Sequence, residues 1–422
     1  MQFPRMLRLR QKFDSPQVAN VAAEVARQLE SLALRDRVQP GDSVALTAGS
    51  RGIANIAVIL QSIAAYFKTL GAKPFIVPAM GSHGGGTVAG QLELLQSYQI
   101  TEEFVGAPIR ATMETVVVAE TSQGVPVHFD RFAAEADHVF VCNRIKPHTG
   151  FVGEIESGLH KMLLIGLGKH VGAKIYHNAI VNFSFAEIIQ SVAQVVLQKC
   201  GVIGGLAIVE NALDETALLE AVPPDAFYER EVELLKRARQ WMPQLPFADI
   251  DLLIVDEMGK NISGTGLDTN VIGRKFNNNK AMDGDLARVR RIVVRGLTPE
   301  THGNASGIGM ADFTTQRCID SIDLKKTRIN CITANHPAAG KLPISLEHDR
   351  EAVEVALQTI GMTPPAEARV VHITNTLHMA ETLVSEAFLS EIANRPDLEA
   401  LEDASPMKFD GNWLRAVHDS AH

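Results

Sequence analysis

The first half of the chain alternates between two hydrophobic periods. Apolar residues recur at helical spacing in four stretches, at residues 17–34, 53–70, 87–99 and 184–198. Short apolar runs typical of buried strands lie between them, at 43–48, 74–79, 138–144 and 205–211. Two further β-rich runs, 114–120 and 125–129, predict a hairpin. Strands that alternate with helices predict a mostly parallel sheet with helices on both faces.

The pattern changes near the middle of the chain. A polar helix predicted at 226–240 is followed by the two-proline stretch 242–249, which we interpret as a domain boundary. Beyond it, apolar runs and a helical stretch near 349–359 predict a second α/β domain. We therefore expect an α/β protein of two α/β domains, residues 1–245 and 246–422, with mostly parallel sheets. Small-ligand sites favour domain interfaces, so we expect the site in the cleft between them.

Composition narrows the class of protein. Hydrophobic residues make up 46% and charged residues 21% of the 422 positions, as in ordinary globular proteins. The net charge is −9 and no long basic run is present, which disfavours nucleic-acid binding. No apolar run approaches the roughly 20 residues that cross a bilayer, and the N-terminal stretch lacks the apolar core of a signal peptide. We expect a cytoplasmic protein, with no membrane partner, whose four cysteines are reduced and packed.

Three predicted strands end in glycine-containing loops that carry a cationic or titratable side chain. These side chains are Arg51, His83 and His148. Ligand sites in open α/β sheets lie beyond the carboxyl ends of the strands. Glycine-rich backbone also lets an anion approach exposed N–H groups. A single histidine after a strand is more often an ordinary surface residue, so it is the coincidence of three such loops that indicates a site.

The segment 146–180 concentrates further titratable groups. It holds four of the 14 histidines, and the apolar run 162–167 follows directly after Lys161. We expect this run to bury a helix against the sheet and partly desolvate the lysine. Desolvation lowers the pKa of a lysine and makes its amine a usable nucleophile or attachment point. The alternative is structural: Lys161 reaches solvent, and His177 caps or packs near the following helix.

Three short motifs carry a resemblance to a known family. The longest is PHTGFVGEIESGLHK at residues 147–161, with His177 following Lys161 by 16 positions. The others are AGSR at 48–51 and GSHG at 81–84. Their order and spacing resemble the motifs PHxxxGFSGGxK, DxxR and GTHR of the nickel-pincer-nucleotide-dependent lactate racemase family. The resemblance extends over roughly residues 45–180, and the chain length and second α/β half also fit.

The resemblance implies a cofactor and a role for each matching residue. The cofactor is a nickel-pincer nucleotide, pyridinium-3,5-bisthiocarboxylic acid mononucleotide nickel, attached as a thioamide at Lys161. His177 is implied as the protein ligand of the nickel. His83 and His148 correspond to the two acid/base histidines, and Arg51 to the arginine that contacts the substrate carboxylate. The implied partners are a small 2-hydroxy acid substrate and the enzymes that make the cofactor.

The chain also departs from the family pattern. Ala48 stands where the family has an aspartate, and glycines follow His83 where an Arg-Pro continuation is usual. His148 and Lys161 are 13 positions apart, three more than in the family. In the second half, MADFTTQRC at 310–318 matches only loosely the cluster that reaches the substrate, and we take Arg317 from it as a substrate-binding candidate. These differences lead us to expect a 2-hydroxy acid other than lactate.

Other functions stay open on the sequence alone. A relative could use the same cofactor for another isomerisation, such as epimerisation of a sugar acid. A non-catalytic binder of an anionic metabolite would use the same glycine-rich strand ends. A zinc or iron hydrolase could use His83, His148 and His177 as ligands, although the sequence has no HExxH motif.

Overall fold

The computed structural model describes residues 1–50, 52–179, 182–275, 285–334 and 336–418. These residues form two compact units. The N-terminal unit comprises Ser15–His148 and Val152–Met242. The C-terminal unit comprises Met1–Asp14, Thr149–Phe151 and Pro243–His422.

The strands are numbered in chain order. They are β1 (Arg5–Gln11), β2 (Ser43–Ala48), β3 (Lys73–Pro78), β4 (Thr115–Glu120), β5 (Pro126–Asp130), β6 (His138–Arg144), β7 (Val202–Glu210), β8 (Thr216–Val222), β9 (Asp249–Val255), β10 (Arg288–Val294), β11 (Phe313–Thr315), β12 (Ile344–Leu346), β13 (Val370–Ile373), β14 (Glu381–Ser385), β15 (Leu398–Ala400), β16 (Ser405–Pro406), β17 (Phe409–Asp410) and β18 (Trp413–Leu414).

The α-helices are numbered in the same way. They are α1 (Val21–Glu30), α2 (Ile56–Thr69), α3 (Val88–Ser97), α4 (Glu102–Val105), α5 (Arg131–Ala134), α6 (Gly158–Lys161), α7 (Lys169–Ala179), α8 (Phe185–Lys199), α9 (Phe227–Trp241), α10 (Thr269–Ile272), α11 (Gln316–Asp320), α12 (Leu324–Thr333), α13 (Asp349–Gln358) and α14 (Leu389–Ile392).

The N-terminal unit is built on a five-stranded sheet in the order β3-β2-β6-β7-β8. All neighbours are parallel except β7 and β8, which are antiparallel. One face packs on a core that includes residues of α1 and α2, and the other on a core that includes residues of α6, α8 and α9. The predicted parallel sheet with helices on both faces is therefore confirmed, and the predicted hairpin is the antiparallel pair β4 and β5.

The C-terminal unit contains a larger mixed sheet in the order β12-β11-β10-β9-β13-β14-β1-β15, with β16 also paired to β1. The strands from β12 to β13 are parallel, whereas β14, β1 and β15 are antiparallel to their neighbours. The pairing of Leu7 with Val384 places the first strand of the chain in this sheet. The predicted α/β class holds for both units, and the predicted boundaries at 245 and 246 stay a prediction.

A buried network of charges joins several strands of the C-terminal unit. Arg295 donates to Asp349 Oδ2 at 2.7 Å and also bonds Asp256, which accepts from His372 Nε2 at 2.6 Å. Burial alone would raise the pKa of Asp256, but His372 and Arg295 outweigh it and lower that pKa. The backbone N–H of Val417 donates to the carboxylate of Asp256 at 2.9 Å, so the network also holds the segment around Val417.

No helix in the described ranges is long and apolar enough to cross a membrane. All four cysteines are buried and unpaired as disulfides. Burial raises the pKa of the Cys142 thiol to about 12 and that of Cys200 to about 11. A thiol with a raised pKa is a poor nucleophile and metal ligand, which agrees with the prediction that the cysteines serve packing.

Candidate active site

Three neighbouring strands of the N-terminal unit end at one edge of the sheet. β2 pairs in parallel with β3 up to Ala48 and Pro78, and with β6 on its other side. The chain leaves β2 through Gly49, where an added Cβ would lie 3.5 Å from both Asn143 Oδ1 and Met162 Cε. The strand ends and the segment after Lys161 are therefore in direct contact, as the sequence predicts for loops at the carboxyl ends of parallel strands.

His83 lies in the loop after β3 and bonds the loop after β2. Its ring Nδ1 contacts the Ser50 hydroxyl, and the Ser50 carbonyl accepts from the Tyr98 hydroxyl at 3.1 Å. Gln91, buried in α3, donates to the Gly81 carbonyl at 3.2 Å and to the His83 carbonyl at 3.4 Å. The imidazole is solvent-exposed, but its ring and backbone are held from two sides.

The glycines after His83 allow a close crossing of two backbones. Gly84 has φ +65°, a conformation that favours glycine, and an added Cβ would lie 2.5 Å from the Gly90 carbonyl carbon. Beside this crossing, an added Cβ on Gly86 would lie 3.4 Å from His170 Nδ1. The triple glycine thus lets the loop fold back against the start of α3 and brings α7 next to it.

The loop that carries His148 is organised around one buried carboxylate. Glu156 accepts from the His148 N–H at 2.6 Å and from the Gly153 N–H at 2.9 Å, and Arg239 of α9 donates to it at 2.6 Å. Ser157 Oγ accepts from the Lys146 N–H at 2.7 Å and donates to the carbonyl of the same residue. The loop between β6 and α6 is therefore closed around a buried carboxylate.

Lys161 is the last residue of α6 and is half-buried. The chain continues as a π-helical turn, Met162–Gly166, before α7 begins. Met162, Leu163 and Leu164 are buried in the core beneath the sheet, which confirms the predicted burial of the apolar run. Single π-helical turns are frequent at functional sites because they redirect the side chains around them.

The short helix α6 is capped by a residue distant in sequence. Its N-cap residue, Ser157, makes no capping hydrogen bond. Glu231 of α9, only 1% exposed, instead accepts from the Leu159 and His160 N–H groups and from His160 Nδ1. Gly158 has φ +84°, and an added Cβ would overlap the Glu231 carboxylate. This contact was not predictable from the sequence, because Glu231 is one of many charged residues on a polar helix.

A buried ion pair fixes the start of α7. Lys169 Nζ lies 2.8 Å from Asp130 Oδ2, both side chains are fully buried, and the ammonium also donates to the Pro78 carbonyl at the end of β3. Burial lowers the pKa of Lys169, and Asp130 opposes that shift. This pair also went unpredicted, since no local pattern links residue 130 to residue 169.

The remaining predicted site residues are His177, Arg51 and Arg317. His177 belongs to α7, but its side chain lies outside the described part of the structure, as does the whole of Arg51. Arg317 belongs to the C-terminal unit, where its guanidinium lies 3.6 Å from Asp349 and 4.3 Å from the ring centre of Trp413. Among the described residues, no three His, Cys, Asp or Glu side chains form a group that could hold a metal ion. The roles predicted for His177, Arg51 and Arg317 stay predictions.

This geometry defines an α/β protein with a candidate ligand site at the carboxyl edge of a parallel sheet. Residues 5–187 match the model of the lactate racemase N-terminal domain. The lactate racemase apoprotein from Thermoanaerobacterium thermosaccharolyticum has a similar fold, with a TM-score of 0.52 and 14% identity over 87% of this chain and 94% of that chain. A protein from Thermotoga maritima aligns with a TM-score of 0.47 and 11% identity, over 84% of this chain and 96% of its own.

No curated protein matches the chain. The N-terminal part of the chain thus matches a lactate racemase domain, as the three motifs indicated, and the chain shares the fold of a lactate racemase apoprotein. The domain match indicates a racemase-like function, that of an isomerase.

Proposed function

We propose that the protein is a racemase or epimerase of a 2-hydroxy acid that works with a nickel-pincer nucleotide attached at Lys161. The proposal rests on one observation. Within one unit, the strand ends that lead to His83 and His148 lie next to the segment that follows Lys161. The family supports the reaction type. The substrate, the cofactor and the residue roles are our proposals.

The residues present fit such a group chemically. Lys161 offers a primary amine on a helix whose backbone is anchored by a buried carboxylate, and it is half-buried rather than fully solvated. An amine in this setting can form an amide-type bond to a carboxyl-derived group, whereas a guanidinium could not. The imidazole of His177 is a suitable ligand for nickel. When bound, the cofactor supplies an acceptor that takes a hydride from C2 of the substrate and returns it.

The protein's own contribution is proton transfer and substrate orientation. Inversion at C2 requires the C–H bond to break, and loss of a proton beside an ionised carboxylate is very unfavourable. Loss of a hydride is easier if a base removes the hydroxyl proton, because a stable, planar 2-keto acid results. We assign removal of this hydroxyl proton to His83 for one enantiomer and to His148 for the other. The Ser50 hydroxyl bonds Nδ1 of His83, so we assign the proton transfer with the substrate to the other ring nitrogen, Nε2.

Arg51 is our proposed partner for the substrate carboxylate, since a guanidinium binds a carboxylate through two parallel hydrogen bonds. Arg317 is a proposed second contact, although its guanidinium is engaged by Asp349 and Trp413 in the C-terminal unit. Histidines suit the acid/base roles because their unperturbed pKa, about 6.5, allows both protonation states near neutral pH.

The cofactor assignment is tested by mass and metal analysis. The protein is produced together with cofactor-making enzymes, and its intact mass, its Lys161 peptide and its nickel content are measured. The Lys161→Ala variant should lack both the added mass and the nickel, while Lys174→Ala, at an exposed lysine of α7, should keep both. If the wild-type protein carries neither adduct nor nickel, or if Lys161→Ala keeps them, the cofactor assignment is wrong.

The two-base assignment is tested by rapid-quench analysis. His83→Ala and His148→Ala should each slow turnover in both directions by about 10²–10⁴-fold, because one mutant cannot change the equilibrium constant. In a single turnover, each variant should still oxidise one enantiomer to the keto acid and leave the other unreacted, with opposite preferences. If both variants lose the same enantiomer, or neither loses activity, the assignment fails.

A further inference from the structure

The helix that carries Lys161 cannot maintain its conformation unaided. A helix of four residues has barely one turn, and the first turn of a helix is unfavourable to form in isolation. Its N-terminal N–H groups need acceptors, and the hydroxyl of the N-cap residue, Ser157, is bonded to Lys146 instead. Something outside the helix must therefore define its geometry.

Glu231, a residue of α9, holds α6 in its conformation. Its buried carboxylate accepts from two N–H groups of α6, those of Leu159 and His160. It also bonds His160 Nδ1, and an ionised carboxylate can only accept, so the proton of this bond resides on the ring. Every one of these bonds lies within two residues of Lys161, on the side of the chain that precedes it.

The ring of His160 is also held by aromatic contacts. It packs edge-on against Phe227 at 6.2 Å and Tyr228 at 6.1 Å between ring centres, and both belong to α9. On the other side of Lys161, the chain enters the π-helical turn, whose residues are mostly buried. The backbone of Lys161 is therefore fixed before and after, and α9 fixes the preceding part.

We propose that Glu231 is a positioning residue for Lys161, acting through α6 and the His160 ring. The inference rests on the proposed function for its purpose, because the direction of the Lys161 amine matters only if it carries a group. His160 acquires a role in this arrangement as the second link between α6 and α9. Glu231 itself need not touch substrate or cofactor.

The first test measures the reactivity of Lys161 in the apo protein. Wild type, Glu231→Ala and Glu231→Gln are treated with acetic anhydride between pH 7 and 9, and acetylation of Lys161 and Lys174 is followed by peptide mass spectrometry. Lys174 is exposed on α7 and serves as an internal reference. Loss of three buried hydrogen bonds should raise the Lys161 to Lys174 rate ratio roughly tenfold in Glu231→Ala. Glu231→Gln, which keeps the shape and one acceptor, should give a smaller rise.

Two controls separate positioning from general destabilisation. Glu229→Gln removes an exposed charge from the same helix and should leave the ratio at the wild-type value. A fold-wide loss of structure would raise both lysine rates together, whereas loss of positioning changes Lys161 alone. If Glu231→Ala does not fold, the Glu231→Gln result decides. A wild-type ratio in a folded variant overturns the proposal.

The second test uses protein produced with the cofactor-making enzymes. The fraction of Lys161 that carries the adduct should fall in the order wild type, Glu231→Gln, Glu231→Ala, and the conservative variant should recover part of the yield. Wild-type yield in both variants would contradict the positioning role. If wild type itself carries no adduct, the proposed function fails, while the acetylation ratio still decides the role of Glu231.

Discussion

The buried ion pair between Asp130 and Lys169 should make a large, pH-dependent contribution to the stability of the N-terminal unit. The Asp130→Asn substitution removes the charge and preserves the shape. It also preserves the cap of α5, where the Ala133 N–H donates to Asp130 Oδ1 at 2.9 Å, because asparagine is an equally good N-cap. The effect therefore comes from the lysine, which is left fully buried with only the Pro78 carbonyl as a partner.

Two arguments set the size of the loss. Breaking a buried pair by removing one partner typically costs about 3–5 kcal/mol. The variant can also fold with Lys169 neutral, and deprotonation from the ordinary pKa of 10.5 costs about 1.36 kcal/mol per pH unit. This route limits the charge penalty to about 4.8 kcal/mol at pH 7 and about 2 kcal/mol at pH 9. We expect a loss of about 3–5 kcal/mol at pH 7 that shrinks markedly at pH 9.

The sign follows from proton binding. Burial lowers the pKa of Lys169 in the folded chain, and removal of the opposing carboxylate lowers it further. Between that lowered pKa and 10.5 the unfolded chain binds more protons, so the stability of the variant rises with pH through this window.

The assay is urea unfolding followed by tryptophan fluorescence. The chain has two tryptophans, Trp241 in the N-terminal unit and Trp413 in the C-terminal unit, so a Trp413→Phe background reports on the unit that holds the ion pair. Glu233→Gln breaks the exposed pair with Lys236 and is the matched control, for which we expect no measurable change. A loss under about 1 kcal/mol at pH 7, as for a surface pair, or a loss equal at both pH values, would refute the reasoning.

Three further predictions concern other parts of the chain. Asp256→Asn should lower the unfolding free energy above pH 3.8, because His372 and Arg295 lower the pKa of Asp256 in the folded state. The difference from wild type should vanish as the pH falls below 3.8 and through that lowered pKa. Urea unfolding followed by Trp413 fluorescence at several pH values checks this. Phe140→Ala should cost about 3–5 kcal/mol, measured by urea unfolding with Trp241, because the ring is fully buried. Glu156→Gln should loosen the His148 loop by about 1.5–3 kcal/mol, measured as faster hydrogen exchange of residues 146–158.

Three buried carboxylates organise the candidate site without any predicted contact to the substrate. Glu156 closes the loop of His148, Glu231 caps the helix of Lys161, and Asp130 pairs with the lysine that begins α7. Each one bonds backbone N–H groups or a cation from a different element. A buried charge is stable only when it is paired and hydrogen-bonded, so these residues tie the elements together strongly.

Hydrophobic period was sufficient to predict most of the N-terminal fold. The strands at 43–48 and 138–144 appear at the predicted residues, and the loops that carry His83 and His148 follow parallel strands of one sheet. Among the strands that were not predicted are β1 and β8. β1 carries three arginines among its seven residues, and β8 is an antiparallel addition after a short turn. Such edge or cross-sheet strands depend on partners far along the chain, which local periodicity does not reveal.

The order of the motifs, the α/β class and the position of the motif loops after neighbouring parallel strands follow from the amino-acid sequence, because parallel strands bring their carboxyl ends to one edge. The contacts that hold those loops in place depend on tertiary packing. Lys161 and Glu231 are 70 positions apart, and Lys169 and Asp130 are 39 apart, so nothing in the local sequence connects them. The role of a buried carboxylate depends on the N–H groups and cations that folding brings within hydrogen-bond distance. These partners are set by packing rather than by spacing along the chain.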